Sequence, residues 1–389
     1  MSLSVAFIGN APPRLCGIAT FTSDLHSAVI TRANPPLGAI FAMSERRGTY
    51  RYPRCVAGEI EDACAGDYAV SANRINAGRF DVVSLQHEFG IFGGEAGGHI
   101  LGLLGRLRVP VVSTLHTVLS APDAAKRAVF EAIIRQSSKV VVMAERGREV
   151  LRSVYRVPGE KIQVIAHGAP DRALVAPESQ KAVFGLSGRS VALTFGLLSP
   201  NKGIEVMIDA MAQIVRRVPN AVYLVVGATH PSLVRHEGER YRRHLEARVQ
   251  ELGLGGHVRF VDQFVDQALL LRYIAAADVY VTPYLTKEQM TSGTLAYSFA
   301  LGKAIVSTPY WHAAELLANG LGRLVPFGDV SATADAVGDL MCDHAARNAM
   351  QVRAYRASRS SVWSEVGRRY LEVFESVVHA SASPKLAVS

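Results

Sequence analysis

The feature that most constrains the fold of this chain is an alternation of short, continuously apolar segments with longer segments of helical periodicity. In the first half the apolar segments are SVAFIGN, FDVVSLQ, VPVVSTLH and KVVVMA, and a helical pattern follows each of them. A strand that is buried on both faces has an unbroken apolar sequence, and parallel strands need helical crossovers between them. The first half is therefore predicted to be a doubly wound α/β domain.

The same alternation starts again after a segment rich in Gly, Pro and Ser between residues 168 and 188. A length of 389 residues suits two domains, because one core stops growing at roughly 250–300 residues. We predict Rossmann-like domains over residues 1–175 and 186–360, with a helix over residues 361–380 returning to the first. Ligands of open α/β sheets bind outside the carboxyl ends of the strands, so two such sheets facing each other would enclose a central cleft.

Composition narrows the choice of partners only moderately. The formal charge of +8, from 42 basic and 34 acidic residues, suits an anionic ligand, and no motif indicates nucleic-acid binding. The four cysteines contain no C-x-x-C pair, which argues against a zinc ribbon and a disulfide scaffold. The first ten residues lack a charged segment followed by a long apolar one. We predict a cytoplasmic protein without a metal or another cofactor, and we leave open its oligomeric state and peripheral membrane contact.

A turn of small residues in TKEQMTSGTLAYSFALGKAIVST leads directly into a helical pattern. The N-terminus of a helix offers unpaired N–H groups and the positive end of a dipole to an anion. We predict that a phosphate binds the N–H groups of Ser292, Gly293 and Thr294, although helix capping alone explains the turn equally well. Lys202, between a strand and a helix in SPNKG, is predicted to reach the same phosphate.

Two polar segments of the first half follow predicted strands. His116 comes directly after VPVVSTL, where an imidazole can bond a sugar hydroxyl and is expected to titrate in a useful range. His87, Glu88 and Glu95 lie in the glycine-rich QHEFGIFGGEAGG, with the apolar ring of Phe89 beside them. These side chains are predicted to form an acceptor-binding wall for a carbohydrate; a glycine-rich hairpin without a ligand is the alternative.

An ordered set of motifs resembles the retaining family 4 glycosyltransferases of GT-B architecture. The set comprises the glycine loop ending at Gly17, TLHT with His116, IAHGAPD, TFG with Gly196, SPNKG with Lys202, VVGA and ALGKAIVST. The resemblance implies transfer of a hexose, with retention, from a UDP- or GDP-hexose to a carbohydrate or glycolipid hydroxyl. It also implies a reaction without a metal, and no D-x-D triplet occurs. His116 would be the acceptor-domain histidine and Lys202 the donor-phosphate lysine, while Gly17 and Gly196 would let the backbone approach the donor.

Two positions depart from the family pattern. An arginine usually follows the glycine of the strand before the lysine, and this chain has Leu197 there. The family also usually carries two glutamates eight residues apart, the second of which binds the nucleotide ribose; the corresponding residues here are Gln289 and Tyr297, with Glu288 adjacent. We predict that Glu288 takes part in catalysis and that Gln289 and Tyr297 contact the donor.

The segment TSGTLAYSFALG is also similar to the Ser-Gly-Thr turn of glycogen phosphorylase, another GT-B enzyme, which binds sugar and phosphate there. A GT-B glycoside phosphorylase that uses inorganic phosphate and a sugar 1-phosphate is therefore one alternative to a transferase. A non-catalytic protein that binds a sugar or a nucleotide is a second alternative, because a fold does not determine a function. Binding without turnover would distinguish this second alternative from both enzymes.

Overall fold

The structure is a computed structural model that describes residues 3–31 and 37–382. Its internal contacts divide the chain into two units. Unit 1 consists of Met1–Gly168 and Trp363–Ser389, and unit 2 consists of Ala169–Val362.

Unit 1 is built on a parallel sheet of seven strands within its described residues. The strands are β1 (Ser4–Gly9), β2 (Leu37–Ser44), β3 (Val56–Glu61), β4 (Val82–His87), β5 (Val111–Leu115), β6 (Lys139–Val142) and β7 (Ile162–Val164). Their order is β3-β2-β1-β4-β5-β6-β7, and neighbouring strands run parallel. Both β1 and β4 are buried along their whole length, which explains their continuous apolar sequences.

Helices connect these strands and cover the sheet with apolar side chains. They are α1 (Gly17–Ile30), α2 (Ala65–Ala77), α3 (His99–Leu104), α4 (Ala124–Gln136) and α5 (Glu145–Ser153). Short 3-10 helices occupy Phe89–Ile91, Glu95–Gly97 and Gly159–Lys161. Asp123 begins α4 by accepting a hydrogen bond from the backbone N–H of Lys126, as expected of an N-cap aspartate.

Unit 2 repeats this plan with a parallel sheet of six strands among its residues, all of which are described. The strands are β8 (Ser190–Phe195), β9 (Ala221–Val226), β10 (Val258–Val261), β11 (Val279–Thr282), β12 (Ala304–Ser307) and β13 (Arg323–Leu324). Their order is β10-β9-β8-β11-β12-β13. Strands β9 and β10 are added on one side of β8 and strands β11 to β13 on the other, so the strand order reverses between β8 and β11. Ligands of α/β sheets bind at such a point.

Nine helices lie in unit 2, together with 3-10 helices at Ala182–Phe184, Pro200–Lys202 and Ser358–Ser361. The helices are α6 (Glu178–Lys181), α7 (Ile204–Arg217), α8 (Pro231–Glu237), α9 (Arg240–Glu251), α10 (Gln267–Ala276), α11 (Gly293–Ala300), α12 (Trp311–Leu316), α13 (Val330–Cys342) and α14 (His344–Ala357). A buried carboxylate links α6 to the sheet, because Asp278 accepts hydrogen bonds from Lys181 Nζ at 2.8 Å and from the Val191 N–H at 2.7 Å. Residues 169–185 consequently belong to unit 2.

The last helix, α15 (Trp363–Ala382), packs against α1 in unit 1. The two helices approach closely at Gly367, where an added Cβ would lie 2.6 Å from the carbonyl oxygen of Ala28. Tyr370 on the same helix exchanges a 3.0 Å hydrogen bond with Thr114 on β5. Within residues 3–31 and 37–382, none of the helices has both the length and the apolar composition needed to cross a bilayer.

Candidate functional site

The loops at the carboxyl end of β8 and β11 meet in unit 2. Gly203 follows Lys202 with a φ of 61°, and an added Cβ there would lie 2.1 Å from the carbonyl oxygen of Pro283. The N–H of Leu285 also donates to the carbonyl of Asn201 at 2.9 Å. Only a glycine allows both the left-handed conformation and this close approach. The sequence SPNKG therefore places Lys202 against the segment that follows β11.

The ammonium of Lys202 is held by a tyrosine that the sequence analysis did not select. Lys202 Nζ donates to the hydroxyl of Tyr284 at 2.7 Å and lies 3.9 Å from the centre of its ring. The same hydroxyl is 3.0 Å from Thr294 Oγ1, and Thr294 Oγ1 also bonds the hydroxyl of Tyr280 at 2.8 Å. The predicted phosphate-binding residues Lys202 and Thr294 are thus brought together through Tyr284.

The Ser292–Thr294 turn begins α11, as its sequence predicted. Ser292 Oγ accepts from the Leu295 N–H at 3.3 Å and caps the helix. The Ser292 N–H, however, donates to Nδ1 of His312 at 2.9 Å. This N–H therefore already has a partner within unit 2, and its binding to a phosphate, which would require that bond to break, stays a prediction. The N–H groups of Gly293 and Thr294 belong to the first turn, where a helix supplies no acceptors, and remain suited to an anion.

Two further glycines bring other loops of unit 2 to this turn. Gly196 has a φ of 117°, and an added Cβ would lie 3.2 Å from Thr294 Cγ2. Gly227, after β9, has its Cα so near the Gly196 carbonyl that a Cβ would lie 1.9 Å from that oxygen. The loop of Gly227 continues to His230, whose pKa is lowered by partial burial of its ring and by the charges of Arg235 and Lys202. His230 therefore borders the group around Lys202.

The three remaining residues predicted to act on the donor lie in different environments. Glu288 is exposed in the loop before the turn. Gln289 is partly buried. Its side chain donates through Nε2 to the Thr291 carbonyl at 2.7 Å, and its backbone carbonyl accepts from the His312 N–H at 3.2 Å. Tyr297 is only 6% exposed and packs in the apolar core of unit 2, while its hydroxyl accepts from Gln267 Nε2 at 3.4 Å. Position 297 therefore supplies a buried ring where the family pattern has a carboxylate.

In unit 1, His116 is fixed at the end of β5 by its neighbours. Gln86 donates through Nε2 to Ser84 Oγ at 3.1 Å, which directs its Oε1 to Nε2 of His116, also at 3.1 Å. This arrangement places the imidazole proton on Nε2 and makes Nδ1 an acceptor. Burial, with smaller contributions from His167 and His87, lowers the pKa of His116 to about 3. The expectation that His116 titrates near neutral pH is therefore wrong, and the ring is a neutral hydrogen-bonding group.

His87 does not form part of an accessible wall. Its side chain is 1% exposed, and its ring contacts Phe89, Phe92 and Phe130 at centroid distances of 4.9, 5.9 and 5.5 Å. Burial lowers its pKa to about 3, and Nδ1 has no hydrogen-bond partner among the described residues. Aromatic side chains enclose His87, so its predicted contact with an acceptor has no support from its surroundings and stays a prediction. The partly buried Phe89 belongs to the same aromatic group.

Glu88 links two loops of unit 1. Its carboxylate accepts from Thr117 Oγ1 at 2.7 Å and from the Phe89 N–H at 3.0 Å, and burial raises its pKa. Glu95 is exposed at the start of a 3-10 helix. Gly17 is exposed at the first residue of α1, and an added Cβ there would meet nothing within 4 Å. These residues lie near helix starts, but the structure does not bring them into one hydrogen-bonded group as it does in unit 2.

The side chains that sequence analysis missed are Tyr284, His312, Gln86 and His230. Tyr284 lies directly after β11, so the strand-end rule that selected His116 would have found it. His312 is part of the segment TPYWHA that follows β12, and His230 follows β9 in the same way. Gln86 lies within a strand, and only its contact with His116 identifies it.

The two units have the architecture of known GT-B proteins. Sucrose-phosphate synthase from Thermosynechococcus elongatus superposes with a TM-score of 0.80 at 17% identity, covering 97% of this chain and 100% of that one. Anabaena Alr3699/HepE, solved in complex with UDP and glucose, superposes with a TM-score of 0.76 at 16% identity, covering 96% of this chain and 100% of the other. The predicted GT-B fold class is therefore confirmed.

Sequence comparison then assigns the family. Residues 36–171 match Glycosyltransferase Family 4, and residues 189–343 match Glycosyl transferases group 1. The chain belongs to the family 4 glycosyltransferases, and it is a hexosyltransferase. It is 29% identical over 286 residues to phosphatidyl-myo-inositol mannosyltransferase of Mycolicibacterium smegmatis, covering 72% of this chain and 68% of the relative. It is 24% identical to D-inositol 3-phosphate glycosyltransferase of Jonesia denitrificans, covering 69% and 67% respectively.

Proposed function

We propose that this enzyme transfers a hexose with retention from UDP- or GDP-hexose, and that unit 2 binds the donor. The observation that supports this proposal is the convergence of the Lys202 ammonium with the first turn of α11. A diphosphate bound by Lys202 and by the N–H groups of Gly293 and Thr294 would be stabilised as the bond from the sugar to the phosphate oxygen breaks and negative charge develops.

Unit 1 is proposed to bind the acceptor, a carbohydrate or glycolipid hydroxyl. His116 is neutral and presents Nδ1 as an acceptor, so it suits a sugar hydroxyl better than a phosphate. Glu88 shapes the adjoining loop through its bonds to Thr117 and Phe89. Because relatives are named for transfer to phosphatidyl-myo-inositol and D-inositol 3-phosphate, inositol-bearing alcohols are the first acceptors to test.

The proposal includes a cytoplasmic reaction that uses no metal. The four cysteines are unpaired, which suits a reducing compartment. Turnover should therefore persist in the presence of EDTA and without added divalent cations. Loss of turnover on chelation, restored by a metal, would contradict this part of the proposal.

The decisive experiment measures hexose transfer from UDP- and GDP-hexoses, together with thermal stabilisation by UDP and GDP. Lys202→Ala should weaken donor binding by about 1.5–3 kcal/mol, or roughly 10- to 150-fold, the range for a hydrogen bond to a charged group. Lys126→Ala is the matched control, because the side chain of Lys126 on α4 of unit 1 is 43% exposed and its loss should leave donor binding unchanged. Normal donor binding by Lys202→Ala would refute the proposed donor site.

A glycoside phosphorylase is the second candidate. It is favoured by the Ser-Gly-Thr turn together with Tyr297, whose buried ring replaces the expected ribose carboxylate. Inorganic phosphate and sugar 1-phosphates are therefore tested in parallel. Stabilisation and turnover with these compounds, and with neither nucleotide, would favour the phosphorylase.

A further inference from the structure

Tyr284 occupies an unusual position in unit 2. It follows β11 directly, is 2% exposed, and its ring stacks on Tyr310 with centroids 4.9 Å apart and an interplanar angle of 18°. Its hydroxyl lies 2.7 Å from Lys202 Nζ and 3.0 Å from Thr294 Oγ1. The stacked, buried ring therefore presents a fixed oxygen to a flexible lysine.

We propose that Tyr284 is a positioning residue for donor binding: its neutral hydroxyl holds the Lys202 ammonium beside the first turn of α11, whereas its phenolate competes with the donor phosphate for that ammonium. This inference rests on the proposed donor site. A lysine side chain loses considerable rotamer freedom when it binds a ligand, so a preformed contact lowers the cost of binding. A phenolate next to a phosphate would instead add like-charge repulsion.

The surroundings of Tyr284 determine which group titrates. Burial opposes the phenolate, but the Lys202 ammonium and the hydroxyls of Thr294 and Ser292 together lower the pKa of Tyr284 below its usual value. The neighbouring Tyr280 and Tyr310 have raised pKa values because both are buried and face Tyr284. These two tyrosines stay neutral in the alkaline range where Tyr284 ionises.

His230 and His312 are the other ionisable groups at this site. The pKa of His230 is lowered by burial, Arg235 and Lys202, so its ring is already neutral at alkaline pH. His312 accepts the Ser292 N–H through Nδ1, which leaves its second ring nitrogen as the proton carrier. Among the groups around Lys202, Tyr284 is therefore the one expected to change charge as the pH rises above neutral.

The test is calorimetric titration of UDP and of GDP into the full chain from about pH 7 to pH 9.5, below the usual tyrosine pKa of about 10. Wild-type affinity should be constant near neutral pH and then fall, approaching tenfold per pH unit once Tyr284 is ionised. Tyr284→Phe should bind several-fold more weakly at neutral pH and show no alkaline fall. Tyr223→Phe is the matched control: it also removes a buried tyrosine hydroxyl of unit 2, bonded to Thr194 at 2.8 Å, and should keep the wild-type profile.

Ultraviolet absorbance of tyrosinate gives a second readout that needs no ligand. One tyrosine of the wild type should ionise before the others, and this early step should be absent in Tyr284→Phe. If the variant proves unfolded by circular dichroism, the absence of an early step in the wild type would still overturn the inference. A Tyr284→Phe variant with wild-type affinity and the same alkaline fall would also overturn it.

The outcomes separate this inference from the function on which it rests. If neither UDP nor GDP binds the wild type, the proposed donor site fails and the inference fails with it. If a nucleotide binds and Lys202→Ala weakens it, but Tyr284→Phe changes nothing, the donor site stands and only the role of Tyr284 is refuted.

Discussion

Acid should destabilise unit 1 through its buried imidazoles, among them those of His87 and His116. Burial lowers the pKa of both His87 and His116 to about 3, whereas an exposed histidine in the unfolded chain has a pKa of about 6.5. The folded state therefore binds fewer protons than the unfolded state between these values, and stability falls as the pH drops through that window. The contribution is fully present above about pH 7.5 and is lost progressively below the unfolded pKa of about 6.5.

The expected magnitude follows from the two pKa values. Between about pH 7.5 and pH 4.5, each histidine should lower the free energy of unfolding by about 2.7 kcal/mol, at about 1.4 kcal/mol per unit of pKa difference. The two together amount to about 5 kcal/mol, which is comparable with the whole stability of many domains, about 5–15 kcal/mol. His87→Phe removes one titrating group and keeps an aromatic ring against Phe89, Phe92 and Phe130, so it should reduce the acid effect by about 2.7 kcal/mol.

The two tryptophans make the assay specific to a unit, because Trp363 lies in unit 1 and Trp311 in unit 2. In a Trp311→Phe background, urea unfolding followed by Trp363 fluorescence reports unit 1. The quantity compared is the change in unfolding free energy between about pH 7.5 and pH 4.5, so any constant effect of the substitution cancels. His379→Gln, at an exposed position of α15, is the control and should retain the full acid effect. Equal acid destabilisation of His87→Phe and its parent would refute the reasoning.

Three further predictions concern packing and a buried lysine. Gly367→Ala should destabilise unit 1 by about 1–3 kcal/mol because its Cβ would meet the backbone of α1. Gly66→Ala, at an open position of α2, is the control and should be neutral or stabilising by up to about 1 kcal/mol. Equal melting temperatures of these two variants would contradict the close packing of α15 on α1. Gly203→Ala should lower both the stability of unit 2 and donor affinity, since its Cβ would lie 2.1 Å from the Pro283 carbonyl oxygen at a φ of 61°. An unchanged melting temperature and an unchanged nucleotide affinity of this variant would contradict the prediction. Burial lowers the pKa of Lys303 to about 8, so the free energy of unfolding should rise with pH between about 8 and 10.4, the pKa of lysine in the unfolded chain. Lys303→Met should reduce that rise in urea titrations at alkaline pH. An unchanged dependence of the unfolding free energy on pH would show that Lys303 does not cause it.

Most central strands could be read from the sequence, whereas the edge strands β3, β7 and β13 could not. The apolar runs SVAFIGN, FDVVSLQ and AIVST correspond to β1, β4 and β12. By contrast, β3 alternates between buried and partly exposed residues at one edge of its sheet, and β7 and β13 span only three and two residues at other edges. An edge strand covers less apolar surface, so its sequence carries a weaker pattern.

The candidate site was only partly predictable for a related reason. His87 and His116 both end strands, and the strand-end rule selected both. The two rings differ in their neighbours: the His87 ring lies among phenylalanines, whereas Gln86 orients the His116 ring. Likewise, Lys202 was found from its position before a helix, but its partner Tyr284 is 82 residues away.

The sequence by itself determined the two α/β repeats, the motifs of family 4 and the helix that begins at the Ser-Gly-Thr turn. These features depend on residues close together in the chain, where apolar period, glycine and capping residues specify local backbone structure. Only the tertiary structure decided that the Ser292 N–H is engaged by His312, that His116 stays neutral and that Tyr284 holds Lys202. Burial and charge at a site come from residues far apart in the chain, and they alone determine which groups carry protons and which donors remain available to a ligand.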